Sequence, residues 1–134
     1  MNRDKLLELY KKYNLTKEDV FKHDHYVIIT RQGIDKIQGV EQIEINYEVI
    51  KCETNFSVFK AIAKKEGAKV ETFGSALKGT NYKDGNCNSW YVAEMAEKRA
   101  MSRAVLKLTG FYELGVFGED ESDNFKQSIT IKNN

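Results

Sequence analysis

Residues 43–74 read IEINYEVIKCETNFSVFKAIAKKEGAKVETFG, and this stretch decides the fold. Ile43, Ile45, Tyr47 and Val49 alternate with Gln42, Glu44, Asn46 and Glu48. A period of two puts apolar side chains on one face of a strand and polar ones on the other. Such a strand needs cover on one side and water on the other, which is the habit of an antiparallel sheet. The runs FSVFKAIAKK (56–65) and KVETFG (69–74) flank Glu66-Gly67, and glycine between two β-like runs predicts a hairpin centred there.

Downstream, Gly79, Gly85 and the Asn and Asp residues between 79 and 88 predict a polar loop. SWYVAEMAEKRAMSRAVLKLTG (89–110) then reads as the longest helix, with Gly110 placed to end it. Upstream, YVIIT (26–30) is a short β-branched run. Leu6, Leu9, Tyr10 and Tyr13 have helical spacing, and Thr16 with Asp19 resembles a capping box opening a second short helix through Phe21. The expected order is α-α-β-β-β-β-α. The expected class is α+β: an antiparallel three- to four-stranded sheet packed by one long C-terminal helix, a β-β-β-α core with N-terminal helices. Residues 1–118 would form one domain and 119–134 an acidic, polar, flexible tail.

At 134 residues the chain is long enough to bury a core without disulfides or metal. Cys52 and Cys87 show neither CxxC nor Cys/His spacing and read as free thiols. No apolar run approaches the ~20 residues of a membrane span, and MNRDKLLELYKKY is too charged for a signal peptide, so a cytoplasmic protein is expected. Net charge is only +1, but its distribution is uneven. Residues 58–107 carry ten Lys/Arg against five Asp/Glu, and residues 108–125 carry none against five. A polyanion-binding surface beside an acidic tail would give this pattern, as would ordinary solvated helices.

Two segments could carry binding chemistry. In the long helix Arg99, Arg103 and Lys107 recur every four residues, a basic stripe beside a small-residue face of Ala93, Ala96, Ala100 and Ala104. Cations in a row can neutralise successive phosphates without reading sequence. The alternative is a solvated face paired with Glu94, Glu97 or sheet carboxylates. On the stripe reading, Arg99→Ala with Arg103→Ala would leave folding nearly intact. The hairpin adds Lys60, Lys64, Lys65 and Lys69, with Phe56, Phe59, Tyr82, Trp90 and Tyr91 nearby in sequence. Lysines interleaved with aromatics suit single strands, whose bases stack on exposed rings. Most of these rings are expected in the core, and Tyr82 and Trp90 are the candidates for exposure. His23-Asp24-His25 lacks a third ligand at useful spacing. No phosphate loop, nucleophile elbow or HExxH motif is present.

The hairpin FKAIAKKEGAKVETFGSALKG followed by AEMAEKRAMSRAVLKLTGF resembles the single-strand annealing proteins of homologous recombination, the group of the eukaryotic Rad-fifty-two protein and the phage Erf and Sak proteins. The matching pieces are Glu66-Gly67, Glu71 with Gly74, and Ser102-Arg103-Ala104-Val105 before Gly110, within residues 26–112. The resemblance implies a homo-oligomeric ring or filament that binds single-stranded DNA in a basic groove between sheet and helix, without a cofactor, and promotes annealing. A phage or mobile-element origin goes with it. Arg103 matches the family's DNA-contacting helix arginine. Ser102 stands where the family has a basic residue, and the next basic position is displaced to Lys107.

Other classes remain open at this point. A double-stranded RNA-binding module also has a basic helix beside an antiparallel sheet. A small metal-dependent nuclease would need convergence of Glu41, Glu44, Glu48 and Lys51. A protein-interaction or inhibitor module would use the acidic run Glu119 to Asp123 to mimic nucleic acid or dock a protein.

Overall fold

The computed structural model describes residues 3–81 and 83–121. Its elements in chain order are α1 (Arg3–Lys12), β1 (Val20–His23), β2 (Tyr26–Ile29), α2 (Arg31–Glu41), β3 (Glu44–Cys52), β4 (Phe56–Lys65), β5 (Ala68–Leu77), α3 (Val92–Leu108) and β6 (Val116–Gly118), with short 3-10 turns at Tyr112–Leu114 and Glu119–Glu121. The class is α+β, and α3 packs on the antiparallel sheet β3-β4-β5.

The hairpin lies where the sequence puts it. Lys65 pairs with Ala68, leaving Glu66 and Gly67 as a two-residue turn with φ of 38° and 83°. Both torsions are left-handed, the conformation whose twist matches the flanking strands, and glycine carries the second at no steric penalty. In β4, Ser57, Phe59, Ala61 and Ala63 are buried while Val58, Lys60 and Ile62 face outward. In β5 the inward set is Thr72, Gly74 and Ala76.

Small residues let α3 come close. A Cβ at Gly74 would lie 2.2 Å from the Ala96 carbonyl oxygen and 2.4 Å from the Ala100 nitrogen, so only glycine fits beneath the helix. Thr72 Oγ1 donates to the Ala100 carbonyl at 2.6 Å, and Ala96, Ala100 and Ala104 are fully buried. With Gly74 under Ala96 and Thr72 under Ala100, α3 runs back along β5. Its N-terminus therefore lies near Leu77 and its C-terminus toward the hairpin tip. Gly110, at φ 88°, ends it as expected.

Upstream the structure departs from expectation. Thr16 and Asp19 form half of the box: Thr16 N and Oγ1 both donate to Asp19 Oδ2, at 2.9 and 3.2 Å, while the Thr16 hydroxyl accepts from Glu18 N rather than Asp19 N. The chain after it, however, pairs Val20–His23 with Tyr26–Ile29 in a second hairpin, turning at Asp24 with φ 58°. Ladder bonds to the buried β-branched run of β2 outweigh the local helix signal. Thr30 is not part of that strand. Its hydroxyl caps α2 by accepting from Gly33 N at 3.2 Å, and Ile34 and Ile37 bury the helix. The expected single run of strands is thus divided, because β2 also pairs in parallel with β6 to make a second sheet, β1-β2-β6.

This second layer gives α3 cover on another side. Ser102 and Leu106 are as buried as the alanines, and Tyr13, Phe111, Ile29 and Val116 fill the second half of the core. The acidic run also begins inside the fold, in contrast to the flexible tail expected from 119. Glu121 is buried, and Arg31 N donates to Glu119 Oε1 at 2.6 Å. Residues 122–134, including Asp123, lie outside the described residues.

Candidate nucleic-acid interface

The helix residues are the first test of the expected stripe. Arg99 is 2% exposed. Its Nη1 donates to Ser75 O at 2.8 Å, its Nη2 to Asn86 O at 2.7 Å and its Nε to Asp120 O at 3.1 Å. The planar guanidinium therefore ties β5, the loop after it and the acidic turn together. Arg99 is a structural residue and lines no surface, which corrects the expectation that it could be removed without effect on folding. Arg103 is half-buried. Its Nη1 donates to Phe73 O at 2.8 Å, and its Nε and Nη2 meet Glu121 Oε1 at 2.7 and 2.6 Å. Lys107 alone of the three is exposed, its ammonium 5.4 Å from the Tyr112 ring centroid.

The reason is α3's second buried face. The sequence predicted a helix with one packed side, but Asp120 and Glu121 close over a second side beside the β5 edge, and Ser102 Oγ donates to Asp120 Oδ2 at 2.9 Å. Glu94 and Glu97, the expected pairing partners of the stripe, are exposed elsewhere on the helix.

The hairpin lysines separate into two kinds. Lys60 sits between Glu48 of β3 and Glu71 of β5, so one carboxylate flanks it on each side. The hydrogen bond to Glu71 raises the Lys60 pKa, and the same bond lowers that of Glu71. Lys65 is bound to Glu41, which also accepts from the Tyr13 hydroxyl at 2.6 Å and meets Lys12 Nζ at 3.0 Å. These partners, Lys65 first and Tyr13 second, hold the Glu41 carboxyl down at about 2, while burial and then Glu41 push the Tyr13 phenol up. Lys64 and Lys69 are exposed near the tip, where a depression of about 390 Å³ opens between Gln42 and the turn. Lys69 reaches Glu71 at 3.6 Å.

The aromatic residues distribute differently from the lysines. Phe59 is core and Phe56 half-buried. Tyr82 lies outside the described residues. Trp90 is 64% exposed, and the Lys78 ammonium stands 4.9 Å from its ring centroid. Tyr91, the residue before α3, is 68% exposed, and Phe73 on the outward face of β5 is 51% exposed. Sequence reading singled out neither as exposed. The outward position of Phe73 was legible in principle, because it alternates with the inward Thr72 and Gly74.

The basic tip and the aromatic corner stand at opposite ends of the sheet. A ten-residue strand separates them by roughly 30 Å. Lys64, Lys65, Lys69 and the C-terminal end of α3 with Lys107 share one end, and Lys78, Trp90 and Tyr91 share the other.

The remaining chemistry-bearing residues do not converge. Glu41 belongs to α2 and is held by its two lysines, while Glu44 and Glu48 lie on the outward face of β3. His25 Nε2 approaches Asp24 Oδ1 at 3.8 Å. Among the described residues no group of three or more His, Cys, Asp or Glu side chains could hold a metal ion, and no helix is long and apolar enough to cross a membrane. Cys52 is exposed and Cys87 buried, both as free thiols. No protein-family model, no curated protein and no solved structure matches this chain.

Proposed function

We propose that the protein binds single-stranded DNA, with Trp90 and Tyr91 as the stacking platform and Lys78 as the first phosphate contact, and that it promotes annealing as a homo-oligomer. The observation that carries this reading is the pair of consecutive rings at α3's start, each about two-thirds exposed, with an ammonium over one of them. Rings of this size are normally buried, and two side by side in water present flat faces of the kind on which unpaired bases stack. Each stacked base is worth about 1–3 kcal/mol, with little dependence on sequence. The resemblance of the hairpin and long helix to the annealing proteins supports the same reading. Lys64, Lys69 and Lys107, at the far end, would track a longer strand's phosphates.

Trp90 is the sole tryptophan of the chain, so binding reports on itself. Titration with oligothymidine at low salt should quench its fluorescence, with a duplex of equal length far weaker in competition. Trp90→Ala with Tyr91→Ala should weaken binding, measured by anisotropy of a labelled strand, at least tenfold. No binding at low salt would exclude the reading, and binding unchanged in the double variant would exclude this site.

A further inference from the structure

The two edges of the sheet β3-β4-β5 are unequal. Along the second half of β5 the outward carbonyls are occupied: Phe73 O by Arg103, Ser75 O by Arg99, and Leu77 O by the backbone N–H groups of Asn86 and Cys87. That stretch of the edge is closed to another strand. Along β3 nothing among the described residues pairs on the free side, and eight of its nine residues are exposed. Tyr47 is 38%, Val49 58% and Ile50 53% exposed, because α3 lies over β4 and β5 and leaves the inner face of β3 open. A long, flat edge with apolar side chains is a template for strand pairing.

We infer that β3 pairs with β3 of a second copy of this chain, antiparallel and centred on Tyr47, to give a closed two-fold dimer with one continuous six-stranded sheet. The sequence of the strand is complementary to itself in this register. Tyr47 meets the partner's Tyr47, Ile45 meets the partner's Val49, and Asn46 meets the partner's Glu48. The bulge between Val49 and Lys51 brings Lys51 level with the partner's Glu44, so opposite charges face each other twice. Neighbouring registers fail: centring on Glu48 opposes two carboxylates, and centring on Asn46 opposes Glu44 to Glu48. Centring on Val49 shortens the overlap and sets the two bulges side by side.

Because β3 is open along its length while half of the β5 edge is blocked, β3 pairs with its own copy in an isologous contact that closes at two copies, whereas a ring or filament of paired sheets would need β5 as the acceptor. Both α3 helices fall on the same face, and Ile45, Tyr47 and Val49 of the two copies form the floor between them. This inference does not depend on nucleic-acid binding.

Sedimentation of the full chain at up to about 100 µM should show a monomer–dimer equilibrium, since a strand-edge contact of this size fits a Kd in about the micromolar range. Val49→Lys should weaken the dimer at least tenfold with an unchanged circular dichroism spectrum. In a Cys52→Ser background, mild oxidation should cross-link Tyr47→Cys, whose paired Cα atoms lie about 5 Å apart, but not Val49→Cys, displaced by about 13 Å. A monomer at all concentrations, a larger ring, or cross-linking through position 49 in preference to 47 would overturn it.

Discussion

Arg103 of α3 and Glu121 of the acidic turn are joined by two hydrogen bonds to one carboxylate oxygen, at 2.6 and 2.7 Å, with the carboxylate almost wholly buried. The acid occupies the same guanidinium that a phosphate would take. Glu121→Gln should therefore release Arg103 toward solvent. The expected outcome is a protein less stable by about 1–2 kcal/mol in urea unfolding. If Arg103 then engages DNA, the log–log salt slope for oligothymidine should steepen by about one ion.

Arg99→Ala is expected to be severe. It strands three carbonyls that now accept from one guanidinium and leaves a cavity between β5 and the acidic turn. A loss of about 3–5 kcal/mol is expected, enough to lower the melting temperature by tens of degrees or prevent folding. Arg99→Lys should not restore it, because one ammonium cannot span three acceptors in a plane. A melting temperature within a few degrees of wild type would show that the guanidinium is replaceable.

Gly74→Ala should also cost more than about 3 kcal/mol, since its methyl would enter the backbone of α3 at 2.2 Å. Gly39→Ala provides the contrast. A methyl there meets nothing within 4 Å and sits inside α2, so it should stabilise the protein by about 0.5–1 kcal/mol. Thermal melts of the two variants beside wild type measure both.

Glu41 sets an acid limb to stability. Its carboxyl is depressed from 4.5 to about 2 in the folded chain, so it is stabilising above pH 4.5 and that contribution is lost as the pH falls through 4.5 toward 2. Allowing for solvent screening, the loss is about 1–2 kcal/mol. Other carboxylates titrate in the same window, so the measurement is a difference: the gap in unfolding free energy between wild type and Glu41→Gln should shrink below pH 4.5 and be constant above pH 6.

The sheet and its helix were legible because their determinants are local. Glu66-Gly67 fixes one turn, Gly110 ends one helix, and strict alternation assigns the faces of β3. The second layer was not, because its signals compete with each other. Gly33 and Gly39 weaken the helical pattern of α2, yet Gly33 is required where a Cβ would strike Ile29 at 2.5 Å. The three-residue β6 carries too little pattern to see. Missing that layer, the sequence reading took α3 for a surface helix and Arg99 for a surface charge. One hint was present: between Ala100 and Leu106 only Ser102 and Arg103 are polar, and a helix apolar nearly all round is a buried one.

Arg99 has a consequence beyond stability. One rigid guanidinium holds the carbonyl of Asn86, in the loop that leads to Trp90, and the carbonyl of Asp120, in the acidic turn. Displacement of either segment tilts the plane against the other. The aromatic corner and the C-terminal turn thus share one side chain, and a ligand that orders one should slow amide exchange in the other.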